Sequence, residues 1–257
     1  MSQLRAPSAD FLLIRPLATR ATQAVLPGSM PSTWTVAEPS LPALMFTYSF
    51  GPGIADALAF PVEDGLAVVS PPFQPPEASF AEIEKHGKVR ALIAPNAYHH
   101  LGLPEWKARY PDAPVFAPAQ SIARVEKQAK ISGIRPLAEA PKLLGDRVEL
   151  CDMPHYKTGE VLVRWRIEGG WAWYVTDVMF NTAELPKGPF GLFLKWTKSG
   201  PGLRRNPLNF LQVKDRPALY AWLVEQAEKT PPRLVLACHS GSITLADPQG
   251  GIRAALA

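Results

Sequence analysis

Histidine is scarce in this chain, and four of its five histidines follow short apolar or β-branched runs and open Gly-containing loops. These four are His99, His100, His155 and His239. Asp177 ends a further apolar run. Imidazole and carboxylate groups are good ligands for Zn²⁺ or Fe²⁺, and strand ends hold them rigidly. The pattern therefore indicates a metal site, whereas the fifth histidine, His86, lies in a charged run typical of a solvated surface.

The segments before these residues have the pattern of strands. Val89–Ala94 leads into the loop of His99 and His100, Trp171–Thr176 leads to Asp177, and Leu234–Ala237 leads to His239. Glu168-Gly169-Gly170 is a hairpin signal between two of the predicted strands. Asp215–Lys229 is the clearest amphipathic helix, whereas residues 182–213 are predicted to be a long irregular stretch. Mixed sheets flanked by helices fit this order better than a Rossmann or TIM arrangement.

The length of 257 residues suits one α/β domain, and no break in composition divides it. We expect a single domain over residues 1–257, with residues 1–42 forming a Pro-rich arm packed on it. Two cysteines in a chain this long do not form a disulfide scaffold, so a reducing, cytoplasmic location is expected.

Charge and hydropathy exclude some partners. The net charge of +4 is weak support for nucleic acid, and no Lys/Arg-rich helix strengthens it. No apolar run approaches the roughly 18 residues needed to span a bilayer. We therefore expect a small-molecule substrate, without a nucleic-acid or membrane partner, and the oligomeric state is left open.

The loops and strands in this order resemble the metallo-β-lactamase superfamily, from about residue 44 to residue 243. The segments that carry the resemblance are Leu66–Pro71, Pro95–Gly102, Pro154–Gly159, Val175–Asp177 and Cys238–Gly241. The second of these falls on the family's His-x-His-x-Asp-His loop. The resemblance implies an α/β fold of four layers, an αββα sandwich in which two mixed sheets are flanked by helices.

Departures from the family pattern remove ligands of the family's first metal site and leave those of the second. The first two histidines of the signature are replaced by Pro95 and Ala97, so the family's first metal site keeps only His155. The signature Asp is replaced by His99. The resemblance then implies one second-site metal ion held by His99, His100, Asp177 and His239. Zn²⁺ is the expected ion, with Fe²⁺ and Mn²⁺ as alternatives, and a site without metal is also left open.

Other residues near these loops have two interpretations each. His155 and His99 are candidate catalytic residues for proton transfer, although His155 could instead only hydrogen-bond substrate or backbone. Tyr98 is a candidate oxyanion donor or a packed aromatic residue. Cys238 is a soft ligand or a small buried side chain. Lys195 belongs to a basic, aromatic stretch that is either a substrate-binding lid or a surface contact.

Three functions are compatible with these residues. The first is a metal-dependent hydrolase that activates water against an ester, amide, lactone or phosphoester, with a preference for an anionic substrate because of the basic stretch. The alternative is a non-catalytic protein of the same fold, in which the remaining polar residues persist as a hydrogen-bonded cluster that binds a ligand or partner. A mononuclear iron redox protein is a weaker third option.

Overall fold

Two large β-sheets organise the protein in a computed structural model that describes residues 33–257 except Pro52 and Pro186. The first sheet contains, in spatial order, β1 (Thr35–Glu38), β2 (Ala43–Phe50), β3 (Gly53–Val62), β4 (Gly65–Val69), β5 (Val89–Ile93), β6 (Val115–Ala117) and β7 (Arg135–Pro136). Its first four strands are antiparallel, and β4 to β7 are parallel. Parallel neighbours need crossover connections, which here contain helices.

The second sheet brings together strands that are distant in the chain. Its members are β8 (Val148–Asp152), β9 (Val161–Ile167), β10 (Gly170–Val175), β13 (Pro232–Ala237) and β14 (Gly241–Thr244). β10 and β13 are parallel, whereas the other neighbours are antiparallel. A separate hairpin pairs β11 (Met179–Thr182) with β12 (Gly202–Arg205).

The helices of the described chain cover the outer faces of the sheets. They are α1 (Glu77–Ile83), α2 (Leu103–Arg109), α3 (Ile122–Ala129), α4 (Pro141–Leu144), α5 (Pro189–Trp196), α6 (Arg216–Lys229) and α7 (Pro248–Leu256). Two 3₁₀ turns cover Leu137–Glu139 and Pro207–Leu211. Over the residues placed by the structure, no helix is both long and apolar enough to cross a bilayer.

Alternation along β10 shows how the layers are stacked. Ala172 and Tyr174 pack into the large core shared with the first sheet, whereas Trp173 and Val175 pack into a second core. That second core contains Leu219 and other apolar side chains of α6 and α7. Successive strand residues point to opposite faces, so β10 separates two cores. This is the predicted αββα sandwich of two mixed sheets with outer helices.

Two expectations about the connecting segments meet different outcomes. Residues 1–32 of the predicted arm lie outside the described residues, while Trp34 is buried and donates its indole N–H to the Ser79 carbonyl at 3.2 Å.

The prediction of a long irregular stretch over residues 182–213 was wrong, because this stretch contains α5 and β12. Pro189 occupies the first turn of α5, where a missing N–H costs nothing, and Leu194 is buried.

Candidate metal site

The candidate site forms where parallel strands of both sheets end. Asp177 and His239 each lie two residues beyond β10 and β13, which are parallel neighbours, so both residues reach the same edge of the second sheet. Ser70 follows β4, and Asn96 follows its parallel neighbour β5. Because the carboxyl ends of parallel strands meet at one edge, polar residues distant in sequence converge here.

Three side-chain atoms form a compact triangle at this edge. His239 Nε2 lies 3.1 Å from Asp177 Oδ1 and 3.3 Å from His99 Nε2. The third side, from His99 Nε2 to Asp177 Oδ1, is 3.6 Å. Ligands bonded to zinc at about 2.0–2.1 Å in a tetrahedron are separated by about 3.3 Å from one another. The spacing of these two nitrogens and one oxygen therefore fits three ligands of one zinc-sized ion.

The Nδ1 atoms of His99 and His239, which face away from the triangle, are both within hydrogen-bond distance of an oxygen atom. His239 Nδ1 lies 2.8 Å from the Ile54 carbonyl oxygen, which can only accept, so Nδ1 carries the hydrogen and the neutral ring presents a lone pair at Nε2. His99 Nδ1 lies 2.7 Å from Ser70 Oγ, and Tyr48 OH lies 2.9 Å from the same oxygen. The lone pair of His239 Nε2 faces the Asp177 carboxylate, and a proton or a metal ion placed between them would satisfy both.

A buried amide orients the Asp177 carboxylate. Asn96 Nδ2 donates to Asp177 Oδ2 at 2.8 Å and to Glu160 Oε2 at 2.9 Å, so both amide hydrogens are used. Asn96 Oδ1 accepts the backbone N–H groups of Tyr98 and His99. Thr176 Oγ1 and the Asp177 N–H donate to the other Glu160 oxygen. Asn96 thus fixes both Asp177 and the loop that carries His99.

The electrostatics of the site follow from burial and from close opposite charges. Burial alone would raise the pKa of Asp177, but the imidazoles of His99 and His239 outweigh it and hold that pKa well below its usual range. Burial lowers the pKa of His239, yet the Asp177 carboxylate more than compensates, so the net shift is upward. Burial and the negative charge of Asp177 together raise the pKa of Glu160 to about 8.

The loop that carries His99 is closed by a tight contact at Gly102. A Cβ atom added there would collide with the carbonyl oxygens of Pro71 and Pro72. Gly102 is the N-cap of α2. Trp106 of this helix donates its Nε1 hydrogen to the Pro72 carbonyl at 3.0 Å, which limits how far the helix can shift.

We expect Gly102→Ala to lower the free energy of unfolding by about 1–3 kcal/mol, the usual cost of overpacking. Gly133→Ala is the control. Its Cβ would meet no atom within 4 Å. Only its backbone φ of +77° opposes the side chain, at a cost of about 1 kcal/mol. Urea denaturation of both variants measures the difference, and a smaller loss for Gly102→Ala than for Gly133→Ala would contradict the steric explanation.

A pocket of about 350 Å³ opens beside the three atoms. His99, Asp177 and His239 line it. Its other lining residues are Tyr48, Phe50, Tyr98, Leu101, Phe180, Asn206, Leu208 and Gln212. The rings of Phe50 and Phe180 pack edge-on against His239, each with its centroid 5.7 Å away. The ligand-type atoms therefore sit on the wall of a cavity large enough for a small molecule.

The structure brings together only some of the residues singled out in the sequence. His99, Asp177 and His239 meet, and Tyr98 lines the pocket with 39% of its surface exposed. Cys238 Sγ lies within 4.8 Å of ligand atoms of both His99 and His239. Burial raises the pKa of this thiol, so it stays protonated in the metal-free protein.

The remaining candidates lie elsewhere. His100 turns its Nδ1 toward the Ala97 carbonyl oxygen, 3.1 Å away, and does not line the pocket as described. His155 is exposed, with φ of +66°, and Lys195 is exposed on α5. Neither belongs to the pocket wall formed by the described residues. The roles predicted for His100, His155 and Lys195 stay predictions.

Sequence reasoning missed the residues that support the ligands. Ser70, Asn96 and Glu160 were not identified as functional. Each of the three is buried and polar at the end or start of an apolar strand, and that position is the signal that could have identified them.

Comparison with solved structures identifies the fold. No protein-family profile and no curated protein matches the sequence. A metallo-β-lactamase from Pontibacter korlensis superposes with a TM-score of 0.53 at 9% identity, over 82% of this chain and 92% of that one. The DIM-1 metallo-β-lactamase gives 0.53 at 11% identity, over 83% and 92%. The mono-zinc form of FIM-1 from Pseudomonas aeruginosa gives 0.55 at 10% identity, over 83% and 88%.

These identities are low, and the likeness establishes the fold alone. The chain has the metallo-β-lactamase fold, as the resemblance of its loops predicted.

Proposed function

We propose that this protein is a mononuclear metal-dependent hydrolase in which His99, Asp177 and His239 hold one divalent ion. The observation that carries the proposal is the triangle of two Nε2 atoms and one Oδ1 atom, 3.1 to 3.6 Å apart, on a pocket wall. Two histidines and one carboxylate form the protein ligand set of several catalytic zinc sites. The same set suits Fe²⁺, so zinc is the first choice and iron or manganese the alternatives.

The other residues of the loop that carries His99 also favour a single ion. Pro95 and Ala97 are buried and carry no ligand atoms in their side chains. Pro95 and Ala97 therefore supply no ligand that could complete another site with the exposed His155. FIM-1, which shares the fold, has been solved in a mono-zinc form, so a protein of this fold can hold a single zinc ion.

A bound ion would supply Lewis acidity, which polarises a substrate oxygen and lowers the pKa of water. The residues of the chain contribute orientation. Ser70 holds the ring of His99, the Ile54 carbonyl fixes the tautomer of His239, and Asn96 aims the Asp177 carboxylate. Esters, amides, lactones and phosphoesters all present an oxygen that such a site can polarise.

The proposal is tested by metal content and turnover together. Chain purified without a tag or chelator is analysed for Zn, Fe and Mn, and is then assayed against ester, lactone and phosphodiester substrates. We expect about one ion per chain, and turnover that chelation abolishes and one of these ions restores. Absence of bound metal after supplementation would overturn the proposal.

The non-catalytic alternative has its own supporting observation. His239 and Asp177 already form an ion pair of 3.1 Å that a proton alone satisfies. Such a cluster stabilises a pocket without any metal ion. Under this alternative the chain binds a small molecule without converting it, and the metal-free protein is as stable as protein supplied with zinc.

The hydroxyl of Ser70 supports the metal site indirectly, and its removal has a predictable effect. We expect Ser70→Ala to weaken metal binding by about 10–100-fold, the usual cost of losing a group that orients a ligand. Affinity is measured by competition with a chromophoric chelator.

Ser79→Ala is the matched control for this variant. Ser79 is also buried, and its Oγ donates to the Pro76 carbonyl at 2.7 Å in α1, outside the pocket. This variant should lose stability but keep its metal affinity. Equal metal affinities for the two variants would contradict the role of Ser70.

A further inference from the structure

The pocket beside the candidate metal site has apolar walls. Six of its lining residues are large and aromatic or aliphatic: Tyr48, Phe50, Tyr98, Leu101, Phe180 and Leu208. Its polar groups other than the three proposed ligands are uncharged: the hydroxyls of Tyr48 and Tyr98 and two amides. Asn206 uses its amide internally, donating to the Asp177 carbonyl at 2.8 Å and accepting from the Leu208 N–H at 2.9 Å. Gln212 adds the other amide of the described wall.

Two arginines of the basic stretch that contains Lys195 are directed to backbone carbonyl groups. Arg204 Nη1 contacts the carbonyl of Leu203 at 3.0 Å, and Arg205 Nη1 contacts that of Leu256 at 2.7 Å, in α7. Arg124 is a cation close to this wall: its guanidinium carbon lies 4.7 Å from the centroid of the Tyr98 ring, although Arg124 itself is not a lining residue. Among the residues that the structure describes around this cavity, no lysine or arginine lines it.

The apolar walls and the absence of lysine and arginine among the described lining residues determine which substrates fit. A charge carried far from the reacting group would lie against aromatic and leucine side chains without a cation to pair with. Tyr98, Leu101 and Leu208 are 39–47% exposed, so a charge there would lose only part of its hydration. That loss is unfavourable without a partner, whereas burial of an alkyl chain or ring in the same place is favourable. Apolar walls with a polar base are typical of pockets for largely apolar small molecules.

We propose that this pocket takes a neutral ester or lactone with an apolar acyl chain or ring, in contrast to the anionic substrate expected from the sequence. The identity of the reaction rests on the proposed hydrolase function. In that reaction a bond forms between the acyl carbon and the oxygen of water, and the bond from the acyl carbon to the alkoxy oxygen breaks. One proton of water ends on the alkoxy oxygen, and the acid releases the other to solvent.

The test measures binding, so that it does not depend on turnover. The probes are the anilide of hexanoic acid and the monoanilide of adipic acid. They have the same chain length and differ in a terminal methyl against a terminal carboxylate. Calorimetric titration is run on the full chain with zinc and after chelation, which separates coordination of the carboxylate to the ion from the preference of the walls.

We expect the neutral anilide to bind at least about tenfold more tightly than the carboxylate in the metal-free chain, because the walls offer the charge no partner. Equal or tighter binding of the carboxylate there, or no binding of either probe, would overturn the proposal. Failure of the hydrolase function would instead appear as missing metal or missing turnover, with this binding preference intact.

A substitution that adds a lysine to the pocket wall tests the same preference. Leu101 lines the pocket and is 44% exposed, so lysine can replace it without burying its charge. Leu101→Lys should reduce or reverse the preference for the neutral probe. Val36→Lys is the control at a position 58% exposed on β1, outside the pocket wall, and should leave the preference unchanged. An unchanged preference in Leu101→Lys would also overturn the proposal.

Discussion

Replacing Asn96 with aspartate is expected to lower the free energy of unfolding by about 3–5 kcal/mol, the cost of breaking a buried charge network. Asn96 Nδ2 bridges the buried carboxyl groups of Glu160 and Asp177, at 2.9 and 2.8 Å. Aspartate has the same shape but donates no hydrogen when ionised, so a second negative charge would face Asp177 in the buried site. Urea denaturation at neutral pH measures the loss.

Asn181→Asp is the matched control for this substitution. Asn181 Nδ2 donates to the Ser242 carbonyl at 3.1 Å in an exposed contact, so its loss should cost no more than about 1 kcal/mol. The loss in Asn96→Asp should shrink as the pH falls, because a protonated carboxyl group can donate in place of the amide. A loss below that of the control would show that Asn96 does not hold the two carboxyl groups.

The second large effect tests whether His239, rather than His100, is a metal ligand. We expect His239→Ala to weaken metal binding by more than the roughly 100-fold typical of a supporting residue, so that purified protein holds little metal. His239 Nε2 lies within 3.1 and 3.3 Å of the other two ligand atoms. Metal per chain by mass spectrometry and affinity by chelator competition give the result.

His100→Ala is the informative comparison, since the sequence predicts His100 as a fourth ligand. Its Nδ1 is directed to the Ala97 carbonyl at 3.1 Å, and burial lowers its pKa. We expect this variant to keep about one ion per chain with an affinity within about tenfold of the unaltered protein. Loss of metal in His100→Ala with retention in His239→Ala would reverse the assignment. Circular dichroism of both variants checks that each is folded.

Much of the fold could be predicted because local patterns and global structure agree. The predicted strand Leu234–Ala237 lies within β13, and the predicted helix at Asp215–Lys229 appears as α6, with Asp215 as its N-cap accepting from the Ala218 N–H. Apolar runs of strand length and an N-capped amphipathic segment are specified within a few residues of sequence. The segment around α5 was missed because glycine, proline and charged residues there interrupt the helical pattern.

The ligand set could be predicted only in part. The sequence placed His99, His100, Asp177 and His239 at strand ends, and three of them meet. Adjacent residues in an extended loop direct their side chains differently, so His99 and His100 could not both be assigned from spacing. The supporting residues escaped notice because their partners are distant: Asn96 contacts Glu160 64 residues away and Asp177 81 residues away.

The sequence by itself determined the chain order of the strands that precede the candidate ligands and the chemical types of those ligands, because these depend on local periodicity and residue type. The resemblance of its loops to a known family implied the fold. Tertiary structure decided which atoms converge. His99 and His239 are 140 residues apart, and their 3.3 Å contact exists because β10 and β13 pair in parallel while the loop after β5 folds over them. Packing also directed the cationic side chains of Arg204 and Arg205 to carbonyl groups outside the pocket. Charge composition fixes how many cations a chain has, but only packing decides which of them face a substrate.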